Sequence, residues 1–161
     1  MKKRVVVYYS FEGNTKRAAE QLAEKLGADI VELRTVKEIP RKGIGKFFVG
    51  GGQALFKKCP PLRNMESDMG KYEEIILGTP IWAGKCAPAI NSFLKAYPVE
   101  EKVAAVFTSS GGGDNKSCMK DFFRRFSALK YSAALSDSRN PASKDNEMYI
   151  QRLAEDIMHG E

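Results

Sequence analysis

The sequence predicts an α/β protein, a three-layer α/β/α sandwich built on a parallel sheet of five strands. Three observations predict it. Short apolar runs alternate with segments whose apolar residues recur at helical spacing, the pattern of parallel pairing with right-handed crossovers. The first apolar run, Arg4 to Tyr9, feeds through a tight polar loop, Ser10-Phe11-Glu12-Gly13-Asn14-Thr15, straight into a helix. Finally, three of the runs end in loops of small or hydrogen-bonding residues, and a parallel sheet collects such ends on one edge.

Taken in order, Arg4–Tyr9 is the first strand, and Thr15–Leu26 is a helix with Ala18, Ala19, Leu22, Ala23 and Leu26 on one face. Gly27 is its C-cap. Ala28–Arg34 alternates like a half-exposed edge strand. A basic, insertion-like segment at about 39–64 follows, punctuated by Pro40, Gly50-Gly51-Gly52 and Pro60-Pro61, with a short glycine-interrupted helix predicted over Lys46–Lys58. Glu73–Thr79 reads as a buried strand. Pro88 then opens a helix with Ile90, Phe93, Leu94 and Tyr97 on one face, which Pro98 stops. Lys102–Thr108 is another strand. The helix predicted over 116–129 turns Met119, Phe122, Phe123, Phe126 and Leu129 inward. Tyr131–Leu135 is the last strand, and Ser143 or Asp145 caps a final helix whose core face is Ile150, Leu153, Ala154 and Ile157.

A chain of 161 residues, 43% hydrophobic, is of the size of one domain, 1–161, with a full core. The N-terminus Met1-Lys2-Lys3-Arg4 leads into too few apolar residues for a signal peptide, and no run is long enough to span a bilayer, so a cytoplasmic protein without a transmembrane segment is expected. Three well-separated cysteines, Cys59, Cys86 and Cys118, argue for free thiols rather than a disulfide framework. A single histidine, His159, excludes a His-based zinc site or triad, and no metal is expected. The net charge of +6 is confined to 39–64, where six basic residues stand with no acidic one. Such a patch steers toward an acidic protein, a negative membrane or an anionic ligand, and no nucleic-acid partner is expected.

The loop after the first strand exposes helix N-terminal N–H groups, strengthened by the helix dipole, to which Ser10, Asn14 and Thr15 add donors and Gly13 adds close backbone approach. It reads either as a phosphate cradle or as an ordinary helix cap by Asn14 or Thr15. It lacks Gly-x-Gly-x-x-Gly and Gly-Lys-Ser/Thr, so a ligand other than ATP or NAD is favoured. The second loop, Thr79–Lys85, holds the only Trp, either a core residue or a ring lying against a planar ligand. The third is Ser109-Ser110-Gly111-Gly112-Gly113-Asp114.

Tyr9-Ser10-Phe11-Glu12-Gly13-Asn14-Thr15 resembles the flavodoxin phosphate loop, commonly Ser/Thr-x-Thr-Gly-x-Thr. Gly78-Thr79-Pro80-Ile81-Trp82-Ala83-Gly84-Lys85, with Pro88-Ala89-Ile90 and Phe93-Leu94, resembles the second flavin loop of flavodoxin-like proteins. The resemblance covers nearly the whole chain except the basic segment, and implies sheet order 2-1-3-4-5 and bound FMN. It implies that Ser10, Glu12, Gly13, Asn14 and Thr15 wrap the phosphate, with the Glu12 carboxylate turned outward because it replaces the usual Thr. Thr79, Pro80, Ile81 and Trp82 would then line the flavin, while Ser109, Ser110, Gly111, Gly112 and Asp114 approach its pyrimidine edge. The Ala83-Gly84 peptide would stand beside flavin N5 as a redox switch, turning a carbonyl toward the N–H formed on reduction. Lys85 lies just beyond, where it either favours an anionic reduced flavin or is simply a solvated lysine. Cys86 and Cys118 fall near helix starts, where thiol pKa values drop, but buried packing accounts for them and neither is assigned a catalytic role.

Three functions follow from these implications. One is an electron carrier that docks to a redox partner protein. A second is an NAD(P)H-dependent FMN or quinone oxidoreductase with the basic segment as substrate lid, its apolar face made by Phe47, Phe48 and Phe56. The third is a flavin-free scaffold for a phosphate-bearing ligand. Either a monomer or a homodimer is compatible with all three.

Overall fold

A computed structural model describes residues 2–37, 59–63 and 68–160. The elements are β1 (Arg4–Tyr8), α1 (Asn14–Leu26), β2 (Asp29–Glu32), β3 (Glu74–Trp82), β4 (Lys85–Cys86), α2 (Pro88–Ala96), β5 (Val103–Ser110), α3 (Lys116–Arg125), β6 (Tyr131–Ser136) and α4 (Asn146–His159). Single 3₁₀ turns lie at Met69–Lys71, Glu100–Lys102 and Pro141–Asp145. The sheet runs β2-β1-β3-β5-β6, all parallel, and β4 pairs antiparallel with the end of β3. With that short hairpin arm set aside, this is the 2-1-3-4-5 order implied by the resemblance.

Alternation along β1 builds two cores. Val5 and Val7 point to one face with Ile75, Leu77, Ile90, Phe93 and Phe122, under α2 and α3. Val6 and Tyr8 point to the other with Leu22, Ile76, Phe107 and Leu153, under α1 and α4. The central strands are covered on both faces and therefore read as continuous apolar runs, whereas β2, at an edge, is half exposed. Gly78 in β3 is required by packing, because a Cβ there would sit 2.2 Å from the Phe107 ring.

Several expectations are corrected. The stretch expected as a second loop is mostly strand: β3 continues to Trp82, held by Thr79 and Pro80 against Thr108 and Ser109 of β5, and turns back at Ala83-Gly84 into β4. Period-2 alternation was masked there by Gly78 and Pro80. α3 ends at Arg125, four residues short of the expected end, because Phe126 is extended and its N–H donates to the Phe122 carbonyl. Phe123 faces outward, 54% exposed, since Cys118, Met119 and Phe122 already fill the narrow stripe of α3 that meets the sheet. Neither Ser143 nor Asp145 caps α4 through its side chain; the turn Pro141–Asp145 runs directly into that helix, and Asn140 caps the turn by accepting from the Ala142 N–H. The helix expected over Lys46–Lys58 lies outside the described residues, as does most of the basic segment. No helix among the described residues is long and apolar enough to cross a membrane.

Candidate functional site

The first strand-end loop leaves the N-terminus of α1 open. Gly13, at φ 96°, is the N-cap residue and no side chain caps the helix; the Ser10 hydroxyl accepts from the Gly13 N–H at 3.2 Å instead. This overturns the reading of Asn14 or Thr15 as an ordinary cap. Asn14 is the first helical residue, and its side-chain oxygen accepts from the Ser138 N–H at 3.3 Å. Thr15 is buried, and its hydroxyl meets that of Ser109 on β5 at 2.7 Å, tying the first and third loops together.

A fourth loop, after β6, closes the same edge. The Asp137 N–H donates to the Ser110 carbonyl (2.7 Å), and the Asn140 amide donates to the Gly111 carbonyl (2.7 Å). Arg139 bridges Glu12 (2.7 Å) and Asp137 (2.8 Å), so the Glu12 carboxylate is turned toward the loop after β6. Arg139, through its guanidinium and its backbone N–H, holds the Asp137 carboxyl down to about 2, and Asp137 raises Arg139 in return. The sequence carried a signal for this loop, since Asp137-Ser138-Arg139-Asn140 follows a strand just as the other three do, but its charged residues resemble an ordinary solvated turn.

The β3–β4 hairpin forms the opposite wall. Trp82 is 9% exposed and packs edge-on against Tyr9 (5.8 Å between centroids) and Phe11 (5.9 Å). Thr79 lies beneath the hairpin, fully buried, accepting from the Ala87 N–H at 3.0 Å. Ala83 and Gly84 both have positive φ, 48° and 77°, as two-residue hairpin turns require. The Lys85 ammonium reaches to Asp121 of α3 at 2.5 Å, which raises its pKa.

These walls enclose a cleft of about 270 Å³. Of the residues expected at the site, Glu12, Asn14, Thr15, Pro80, Ile81, Trp82, Ser109, Ser110 and Gly111 line it, joined by Phe11, Asp137 and Arg139, which sequence reasoning missed. Ser10, Gly13, Thr79, Ala83, Gly84 and Lys85 shape its loops without lining it, and Gly112 and Asp114 lie outside it, Asp114 accepting from the Lys116 N–H. The Ser110 hydroxyl is buried in the cleft wall with no hydrogen-bond partner among the described residues. Behind Trp82 lies a second cavity of about 570 Å³, almost wholly apolar, walled by Tyr9, Val36, Pro60, Pro61 and Pro88 among others.

Comparison with known proteins accords with this architecture. A curated relative from Syntrophus aciditrophicus, named NAD(P)H dehydrogenase (quinone), is 31% identical over 120 residues, which are 68% of this chain and 58% of that protein's length. A flavoprotein in complex with FMN from Lactobacillus acidophilus superposes with a TM-score of 0.67 at 21% identity, over 92% of this chain and 99% of that one. A WrbA-like flavodoxin from Agrobacterium tumefaciens does so with 0.59 at 19% identity, over the whole of both chains. These structural likenesses establish the fold. The sequence pattern of the flavodoxin family matches residues 56–145, more than half of the chain, and the chain belongs to that family.

Proposed function

We propose that this chain binds FMN non-covalently in the cleft at the carboxyl edge of its sheet and passes electrons through it. The observation that carries this reading is the convergence on one cleft of a helix N-terminus without a side-chain cap, a buried Ser110 hydroxyl with no partner among the described residues, and an aromatic wall. A phosphate monoester fits the first, because helix N-terminal N–H groups and the dipole favour an anion. A polar ring edge fits the second, since a buried hydroxyl left without a partner costs about 1–3 kcal/mol. A flat ring system fits the third.

FMN would supply the one-electron and hydride chemistry. Thr15, Asn14 and the first-turn N–H groups of α1 would hold the phosphate, and Arg139 stands at the mouth as a cation able to exchange Glu12 for it. Pro80, Ile81 and Trp82 would face the ring, and Ser110 and Gly111 its polar edge. The Ala83-Gly84 turn is the proposed redox-switch peptide. Lys85 presents its charge to Asp121, so the ion pair rather than a bare cation sets the field beside the hairpin.

A second reading, an NAD(P)H-dependent quinone reductase, is favoured by the apolar cavity that shares Trp82 with the cleft and has room for a quinone ring. The name of the Syntrophus relative points the same way. A visible spectrum of the purified protein titrated with FMN tests the common core, and protein that stays colourless and does not quench added FMN ends it. Anaerobic mixing with NADH or NADPH separates the two readings: bleaching followed by turnover with a quinone gives the reductase, and inertness until a partner reductase is added gives the carrier.

A further inference from the structure

We propose that Cys86 and Cys118 form a reversible dithiol–disulfide couple, a second two-electron redox centre in this chain, oxidised by hydrogen peroxide. The geometry rests on three consecutive residues of the hairpin arm, each meeting α3. A Cβ placed on Gly84 would lie 3.5 Å from the Ser117 Cβ. Lys85 is ion-paired to Asp121 at 2.5 Å. Between these two anchors lie Cys86, the last residue of β4, and Cys118, in the first turn of α3, both buried in one core, where the Cys86 thiol donates to the Asn91 Oδ1 at 3.7 Å and the two thiols perturb one another's titration. The anchors hold the hairpin arm against the first turns of α3, which puts Cys86 and Cys118 in one packed seam. Ordinary core thiols pack singly among apolar side chains.

The two thiols are not equivalent. The hydrogen bond from Cys118 lowers the Cys86 pKa, whereas the neighbouring Cys86 sulfur and burial raise that of Cys118. Cys86 is also the more accessible, 8% exposed against 1%. Thiolate character and access select the attacking sulfur, so Cys86 attacks and Cys118 resolves. Cys86 releases its proton to water and its sulfur attacks one peroxide oxygen; an S–O bond forms, the O–O bond breaks and hydroxide leaves. The Cys118 sulfur then attacks the Cys86 sulfur, forming S–S and breaking S–O, and its proton leaves with the departing hydroxide as water. The two sulfurs together lose two electrons, and one peroxide becomes two waters. The bridge staples the Ala83-Gly84 turn to α3, and it requires no flavin.

The test uses the full chain carrying Cys59→Ser, which removes the exposed third thiol. After treatment with hydrogen peroxide, remaining thiols are alkylated and the protein is digested with trypsin without reduction. The expected product joins the peptides 86–95 and 117–120, is lighter by two hydrogens than their sum, and separates with dithiothreitol. In a Cys118→Ala variant, Cys86 should stop at the sulfenic acid and be trapped by dimedone. Recovery of both peptides alkylated, or of Cys86 as sulfinic acid beside alkylated Cys118, overturns the proposal. Running the digest with and without added FMN keeps the outcomes apart, because a protein that never takes up FMN but still forms the link refutes the flavin assignment alone.

Discussion

Ala83 is the one non-glycine residue with positive φ among the described residues, and replacing it by glycine should stabilise the protein. A left-handed conformation costs an L-residue roughly 1–2 kcal/mol, which Ala83→Gly removes. Glycine returns about 0.5–1 kcal/mol through the greater freedom of the unfolded chain. The net gain is about 0.5–1 kcal/mol. With an unfolding entropy of roughly 2.1 cal/mol/K per residue, a chain of 161 residues shifts its Tm by about 3 °C per kcal/mol, so Ala83→Gly should raise Tm by about 1.5–3 °C. Gly84→Ala should do the reverse: strain of roughly 1–2 kcal/mol, less about 0.5–1 kcal/mol from the stiffer unfolded chain, leaves a net cost of about 0.5–1 kcal/mol. Its new Cβ would meet Ser117 only at 3.5 Å, an ordinary contact, so backbone strain is the one destabilising contribution. Urea unfolding monitored by circular dichroism, compared at equal m-values, reads both variants. A glycine at 83 that fails to raise the midpoint, or an alanine at 84 that leaves it unchanged, would show that the turn does not hold two positive-φ residues.

Gly78→Ala drives a methyl into the buried Phe107 ring, with contacts of 2.2–2.8 Å, and should destabilise by about 1–3 kcal/mol; adding Phe107→Leu should recover part of that loss in the same melt. Thr15→Val keeps the shape but strips the buried Ser109 hydroxyl of its 2.7 Å partner, which should cost about 1–3 kcal/mol of stability and weaken FMN binding in a fluorescence-quenching titration. For Asp137, the folded pKa of about 2 lies below the ordinary 3.8, so its pairing with Arg139 contributes stability that is full above pH 3.8 and is lost as pH falls through 2. Urea midpoints of Asp137→Asn and the parent should therefore differ near neutral pH and converge in strong acid; a constant gap across the range would refute the linkage.

What was legible in the sequence follows from how many constraints each stretch obeys. β1, β5 and the α1 and α4 faces were readable because burial imposes one period on every residue: Ala18, Leu22 and Leu26, or Ile150, Leu153 and Ile157, leave no alternative face. The hairpin was not readable as such. Gly78 is set by the Phe107 ring, Pro80 by the strand pairing and Ala83 by the turn, and these unrelated demands together look like a loop. Phe123 was misplaced because helical spacing from Met119 permits it inward, while only the width of the sheet contact decides that it stays out. Within the candidate site, the polar loops could be located from strand ends alone. The role of Arg139 could not, since it depends on two acids, one 127 residues away in the chain and one next but one.

Trp82 is the party wall between two compartments, one polar and one greasy, and it is also the single tryptophan of the chain. Any molecule that enters either side therefore touches the same fluorophore. Emission excited near 295 nm becomes a two-input meter, with quenching by a flavin and a blue shift by an apolar guest read in one cuvette. Whether the two signals add or interfere would report, without any label, how strongly each compartment senses the occupant of the other.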